Sequence, residues 1–136
     1  HRRQRVHIEN IIRKTPEEIA AEELKRLLAE NLHGAGLFKE FYVRLTGIVR
    51  RYIERTTGIR APEQTTEEFL RDMHARRVFS VEKAAQLAQF LEAADMVKYA
   101  AMEPSERQIE DAIARAQEFV GLPSAFRPLP EAVGAS

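Results

Sequence analysis

The sequence predicts an all-α fold, a single bundle of about five helices built on a long central amphipathic helix at about residues 37–57. Three observations predict it. Apolar residues recur at three- and four-residue spacing along most of the chain. Helix-capping sequences open the periodic stretches. No stretch alternates apolar and polar residues as a half-buried strand would, and no repeat of fixed period occurs. A chain of 136 residues, 44% hydrophobic and 31% charged, suits one domain with a small core.

The elements follow in order. Thr15-Pro16-Glu17-Glu18 reads as a capping box with proline at the first helical position. Ile19, Ala20, Leu24, Leu27 and Leu28 then share one helical face, and Gly34-Ala35-Gly36 is expected to end this helix. The central helix carries Phe38, Phe41, Tyr42, Leu45, Ile48, Val49, Tyr52 and Ile53 at helical spacing, with Lys39, Arg44, Arg50, Arg51 and Arg55 on its other faces. Gly58 and Ala61-Pro62 end it. Gly47 interrupts its periodic run at a cost of roughly 1 kcal/mol in helix propensity, and close helix packing is the expected reason.

A second capping box, Thr65-Thr66-Glu67-Glu68, opens a short helix bearing Phe69, Leu70 and Met73. Ser80 caps the next, with Val81, Ala84, Ala85, Ala88 and Leu91 expected on its buried side. Asp95 and Lys98 interrupt its apolar end, where a rim ion pair three residues apart is expected. Ser105 and Gln108 form a third box for the last helix, whose face is Ile109, Ala112, Ile113, Ala116 and Val120. Gly121-Leu122-Pro123 ends it. The domain organisation expected is a basic juxtamembrane or flexible segment at 1–14, the bundle at 15–121 and a flexible proline-containing tail at 122–136.

The 21 basic and 21 acidic residues cancel overall, but not by position. Residues 1–60 hold 13 Lys+Arg against 8 Asp+Glu, and residues 61–136 hold 8 against 13. The first residue is not Met, and Arg2, Arg3, Arg5, Arg13 and Lys14 face a single acid, Glu9. A fragment that begins just after a transmembrane helix is the expectation, because Lys and Arg gather on the cytoplasmic flank of such helices. Within the chain no uncharged run exceeds eight residues, against the ~18–20 needed to span a bilayer.

The absence of Cys excludes disulfides, thiolate metal sites and thiol nucleophiles. Glu30 and His33 have the spacing of a helical di-iron motif, but such a site needs two such pairs and two more Glu; a surface histidine at a helix C-terminus is expected instead. Gly34-Ala35-Gly36 lacks the preceding strand of a phosphate loop. No serine has nucleophile-elbow context, and nothing assembles a nucleophile, base and orienter. No enzyme activity, cofactor or metal is therefore expected. The one candidate ligand face is Arg44, Arg51 and Arg55, aligned at spacings of seven and four, which suits phosphate or anionic lipid. The competing expectation is a solvated face whose arginines pair with acids from the second half of the chain. A helical nucleic-acid regulator using these arginines is the alternative function. It is the weaker one, because the helix after the 58–64 turn opens Thr-Thr-Glu-Glu and would repel phosphate.

The run from Glu40 to Leu70, EFYVRLTGIVRRYIERTTGIRAPEQTTEEFL, resembles the cytoplasmic helical domain of bacterial BatD-like single-pass membrane proteins of the aerotolerance-operon type. The shared pattern is Tyr-x-x-Leu-x-x-Ile-hydrophobic-Arg-Arg-Tyr, then Gly-Ile-x-Ala and Thr-Thr-Glu-Glu-Phe-Leu. The segment from Thr15 to Leu24 and the segment Phe90-Leu91 with Ala94-Asp95 and Val97-Lys98-Tyr99-Ala100 extend the resemblance to about residues 15–120. It implies a non-catalytic interaction domain on the cytoplasmic face of the bacterial inner membrane, tethered by an upstream helix. Its implied partners are a MoxR-type AAA+ ATPase or a von Willebrand A-domain protein, in envelope stress tolerance or complex assembly. The matched Arg50, Arg51, Tyr52, Thr65, Thr66, Glu67, Glu68, Asp95 and Lys98 are then expected to be structural: caps, core and buried ion pairs.

Overall fold

A computed structural model describes residues 14–60 and 64–121; the expected basic N-terminal segment and the proline-containing tail lie outside these residues, apart from Lys14. The described residues form five helices and no strand: α1 (Pro16–Glu30), α2 (Phe38–Thr57), α3 (Thr66–Ala75), α4 (Val81–Tyr99) and α5 (Glu106–Phe119). None of these is long and apolar enough to cross a membrane.

Local chemistry sets the starts. Thr15, Thr65 and Ser105 each accept from the backbone N–H three residues on, and Glu18, Glu68 and Gln108 each accept from the cap residue's own N–H. Each box satisfies two of the amides a helix start leaves orphaned. Ser80 caps α4 through its hydroxyl alone, accepting from the N–H of Lys83 at 3.2 Å. The ends differ more from expectation. Asn31, at φ 52°, caps α1 in the left-handed conformation, which asparagine adopts with less strain than most residues. One further turn follows, closed by Gly36 at φ 81° with the N–H of Leu37 donating to Leu32 O at 2.9 Å. The glycine segment thus ends that extra turn and not α1 itself.

α2 is the centre. It packs on α1, α4 and α5, and Phe41, Leu45, Val49 and Ile53 are wholly buried. α1 contributes Ala20, Leu24 and Leu27 to the same core, and α5 contributes Ile109, Ala116 and Phe119. α3 rests mainly on α4 through Phe69 and Met73. Arg76 at its end donates to the carbonyl of Thr57 at 2.8 Å and so ties it to the end of α2.

The buried face of α4 differs from the expected one. Leu87, Phe90, Leu91, Ala94 and Val97 face the core, while Val81 is 86% exposed and Ala85 also lies outside. α4 carries apolar residues around its whole circumference, so spacing alone does not choose among its faces. Val78 and Phe79, in the connection before α4, also join the core, and the ring of Phe79 stands 6.4 Å from that of Phe119.

Polar clasps hold α1 to α2. The hydroxyl of Tyr52 donates to Glu17 at 2.6 Å, and Arg44 forms a two-pronged ion pair with Glu30. These partners hold the carboxyls of Glu17 and Glu30 below their usual range, Tyr52 being the main cause for the first and Arg44 for the second. A carboxyl whose pKa is depressed by folding adds stability that is complete above the unfolded value of about 4.3 and is lost as the pH falls through the folded value. Thermal melts should therefore show acid destabilisation below about pH 4.3, modest because the Arg44–Glu30 pair is exposed and the Tyr52–Glu17 bond only part-buried. Tyr52→Phe should flatten that acid slope, and an unchanged slope would show that the clasp carries no linkage.

Candidate functional site

α3 covers only part of α2, and the gap beside it is a polar cleft. Its walls are the outward face of α2 (Val43, Thr46, Gly47, Arg50 and Arg51), the start of α3 (Gln64 to Glu67) and the last turns of α4 (Asp95, Lys98 and Tyr99). The cleft encloses about 680 Å³. Spacing on α2 explains the wall: Val43, Gly47 and Arg50 or Arg51 follow one another at one helical turn.

Arg50 is the anchor of this region and is only 8% exposed. Its guanidinium donates to Gln64 O at 2.7 Å and to Thr66 Oγ1 at 2.8 Å, and it lies 5.2 Å from the centre of the Phe69 ring. It therefore fixes the entry into α3 against α2. Burial pushes its pKa down, and the nearby charge of Asp95 opposes that shift.

Lys98 is the second buried cation, its side chain only 9% exposed. The expected rim ion pair with Asp95 is present, but Lys98 lies inside the bundle edge and not on it. Its ammonium stands 3.4 Å from Asp95 Oδ1 and 3.4 Å from Thr46 Oγ1. The first contact gives charge attraction without good hydrogen-bond alignment, and Asp95 Oδ1 has no hydrogen-bond donor. The Thr46 hydroxyl already donates to the Tyr42 carbonyl at 2.8 Å. Burial lowers the pKa of Lys98; Asp95 counters the shift, and the charge of Arg50 adds to it. Asp95 thus serves two cations that repel one another.

The arginine face of α2 has a different fate from the one expected. Arg44 pairs with Glu30, while Arg51 and Arg55 both approach Glu23, at 3.2 and 3.6 Å. The acids come from α1, in the same half of the chain, and not from the later helices. Sequence reading missed this because Glu22 and Glu23 look equally solvated until α1 is docked; Glu22 pairs instead with Lys14 at 2.7 Å. With its cations matched in this way, the face is no bare stripe for phosphate.

Gly47 also departs from expectation. No atom of another helix is among the three nearest to where its Cβ would stand. A Cβ there would meet only the Arg51 guanidinium, at 3.0 Å from Nη1. The glycine forms open cleft floor, overlain by a flexible side chain. Tyr52, Thr65 and Glu68 are structural, in the Glu17 clasp and the α3 cap. His33 is half-buried and not fully on the surface: its ring lies 4.5 Å from that of Phe41, and Nδ1 is buried without a hydrogen-bond partner. Among the described residues no group of three or more His, Asp or Glu could hold a metal.

A smaller hollow of about 230 Å³ lies between α2, α4 and α5, floored by Tyr42, Phe90, Val97 and Met102. Burial first, and then the charge of Asp111, push the Tyr42 phenol up to about 12, so it stays protonated at neutral pH. No family model, curated protein or solved structure matches the chain.

Two stability outcomes follow from this geometry. Asp95→Asn, measured by urea unfolding, should lose about 2 kcal/mol, below the full value for breaking a buried pair because Asp95 keeps some solvent contact. Lys98→Met should lose less, since it removes one of two like charges; the reverse order would refute the shared-counterion arrangement. Gly47→Ala should raise stability by up to about 1 kcal/mol, as the guanidinium of Arg51 swings aside. A loss instead would mean that the arginine cannot yield.

Proposed function

We propose that the chain is a non-catalytic protein-interaction domain of a membrane-anchored bacterial protein of the BatD-like, aerotolerance-operon kind. On this reading it stands at the cytoplasmic face of the inner membrane. The resemblance of the 40–70 run suggests a MoxR-type AAA+ ATPase or a von Willebrand A-domain protein as partner, in envelope stress tolerance or complex assembly. The observation that carries the interaction reading is the cleft beside α2 with its apolar rim. Tyr99 is 79% exposed and Val43 48% exposed, and both line a depression whose floor is charged. An exposed aromatic side chain and a half-exposed arginine, Arg51, beside one recess match the composition of contact centres between proteins. The alternative, a nucleic-acid regulator, draws no support from the arginines of α2. Arg44, Arg51 and Arg55 meet Glu23 and Glu30 at ion-pair distance, so they offer no bare row of cations to a run of phosphates.

The test is co-purification of the full-length protein with the products of neighbouring genes. A partner should be recovered and should be lost when residues 15–121 are deleted. Equal recovery after the deletion would place the interaction elsewhere in the protein and refute the reading.

A further inference from the structure

Resting on the interaction reading, we infer that the α2 cleft is a peptide-docking site for a short acidic-apolar segment of the partner, its carboxylates over Gly47 between Lys98 and Arg51 and its apolar residues along Val43 and Leu37.

Four observations, all geometric, converge on it. First, the cleft does not end at Val43. That residue also lines a shallower depression formed with Gly36, Leu37, Phe38, Lys39 and Glu40. The two recesses make one strip along α2 from Leu37 to Arg51, about 20 Å at the helical rise, which matches about six residues of extended chain. Second, the strip is graded. Its α2 N-terminal end exposes Leu37 and Val43, each 48% exposed, and Tyr99 stands beside Val43. Its other end holds Arg50, Arg51 and Lys98.

Third, the charges at that end are positive on balance. Three cations line the cleft against two acids, Glu67 and Asp95, with Arg51 shared also with Glu23. The Lys98 ammonium has two long polar contacts of 3.4 Å and lies 5.6 Å from the centre of the Tyr99 ring, so an incoming carboxylate would add an opposite charge in a half-desolvated recess, where such pairing is stronger than in bulk water. Glu67 at the rim would oppose a long acidic run, which favours one or two carboxylates over a polyanion. Fourth, Gly47 gives up helix propensity where the three atoms nearest to its missing Cβ, at 3.0 to 3.8 Å, all belong to the flexible Arg51 guanidinium and none to a neighbouring helix. A floor without a side chain lets another backbone approach α2 closely. The N-terminus of α3 in the same wall adds a weak positive field, but its amides are occupied by the Thr65 box.

The test is fluorescence titration of the full chain with a labelled, C-terminally amidated peptide, Leu-Phe-Gly-Glu-Asp-Ser, beside a twin whose two acids are replaced by Lys. The acidic peptide should bind and the lysine twin should not, and affinity should fall with added salt. Gly47→Gln fills the floor with a good helix former and should weaken binding about tenfold or more. Arg51→Gln, at a half-buried position, and Tyr99→Ser, at an exposed one, should each weaken it several-fold. Melting temperatures well above that of the assay for every variant would separate these losses from unfolding. Indifference to Gly47→Gln, equal binding of the lysine twin, or no binding of the acidic peptide would overturn the proposal. So would displacement of the peptide by inorganic phosphate or by anionic vesicles at matched charge, which would mark a general anion site. Full-length Gly47→Gln protein that still co-purifies its partner would sink the cleft while leaving the interaction reading intact; wild-type protein that captures no partner would sink that reading, and the titration would still judge the cleft.

Discussion

Everything in this bundle follows from the enclosure of α2 on three sides. Its buried residues include Phe41, Tyr42, Leu45, Ile48, Val49 and Ile53, and also Thr46 and Arg50. A helix packed by α1, α4 and α5 must bury far more than the single stripe of a surface helix. Polar residues are therefore carried inward with the apolar ones, and each needs a local answer. Thr46 bonds back to the carbonyl of Tyr42. Arg50 reaches out of the core to the backbone and hydroxyl at the entry of α3. Arg44, Arg51 and Arg55 lie on the α1 side, where Glu23 and Glu30 meet them.

The Arg50 anchor explains how α3 keeps its place although it packs mainly on α4. A ten-residue helix is too short to be stable by propensity. Its start is fixed by the Thr65–Glu68 box and by the Arg50 bonds, and its end by Arg76 on the Thr57 carbonyl. Charged hydrogen bonds of this kind are stronger than neutral ones. Burying a guanidinium and an ammonium near one carboxylate is, by contrast, a weak source of stability. The Arg50–Asp95–Lys98 group is better understood as fixing geometry at the α2–α3–α4 junction than as holding the bundle together.

What was legible in the sequence was what is decided locally or deeply. The boxes at Thr15, Thr65 and Ser105 appear as read because a cap needs only its own next three residues. The α2 stripe appears as read because so many large apolar residues share it. The α4 face did not, since Leu87, Phe90 and Ala94 compete with Ala84, Ala85 and Ala88 on a helix apolar all round. The α1 end did not, because Asn31 takes a conformation usually reserved for glycine. The ion pairs of the α2 arginines did not, because the choice between Glu23 and any later acid is made by helix docking, not by sequence distance. His33 escaped for the same reason: only the turn after Asn31 brings it onto Phe41. Of the cleft, the Asp95–Lys98 pair was legible, but not that helix docking sets it in one recess with Arg50 and Arg51. Gly47 was visible as an anomaly with the wrong cause attached.

That anomaly bears on why the surface has the form it does. Isolated exposed apolar residues are ordinary on a soluble surface, and Val81, at the start of α4, needs no account. Leu37, Val43 and Tyr99 are different, because they border recesses that meet at Val43. Exposed apolar residues gathered at recesses differ from apolar residues scattered singly. The same recess contains the one helical glycine that no neighbouring helix requires. Packing in α2 would be served by alanine at that position, and helix propensity would be better served too. A residue that serves neither packing nor propensity, on the one face of α2 that its own helices leave uncovered, is most simply explained by what has to come close to that face.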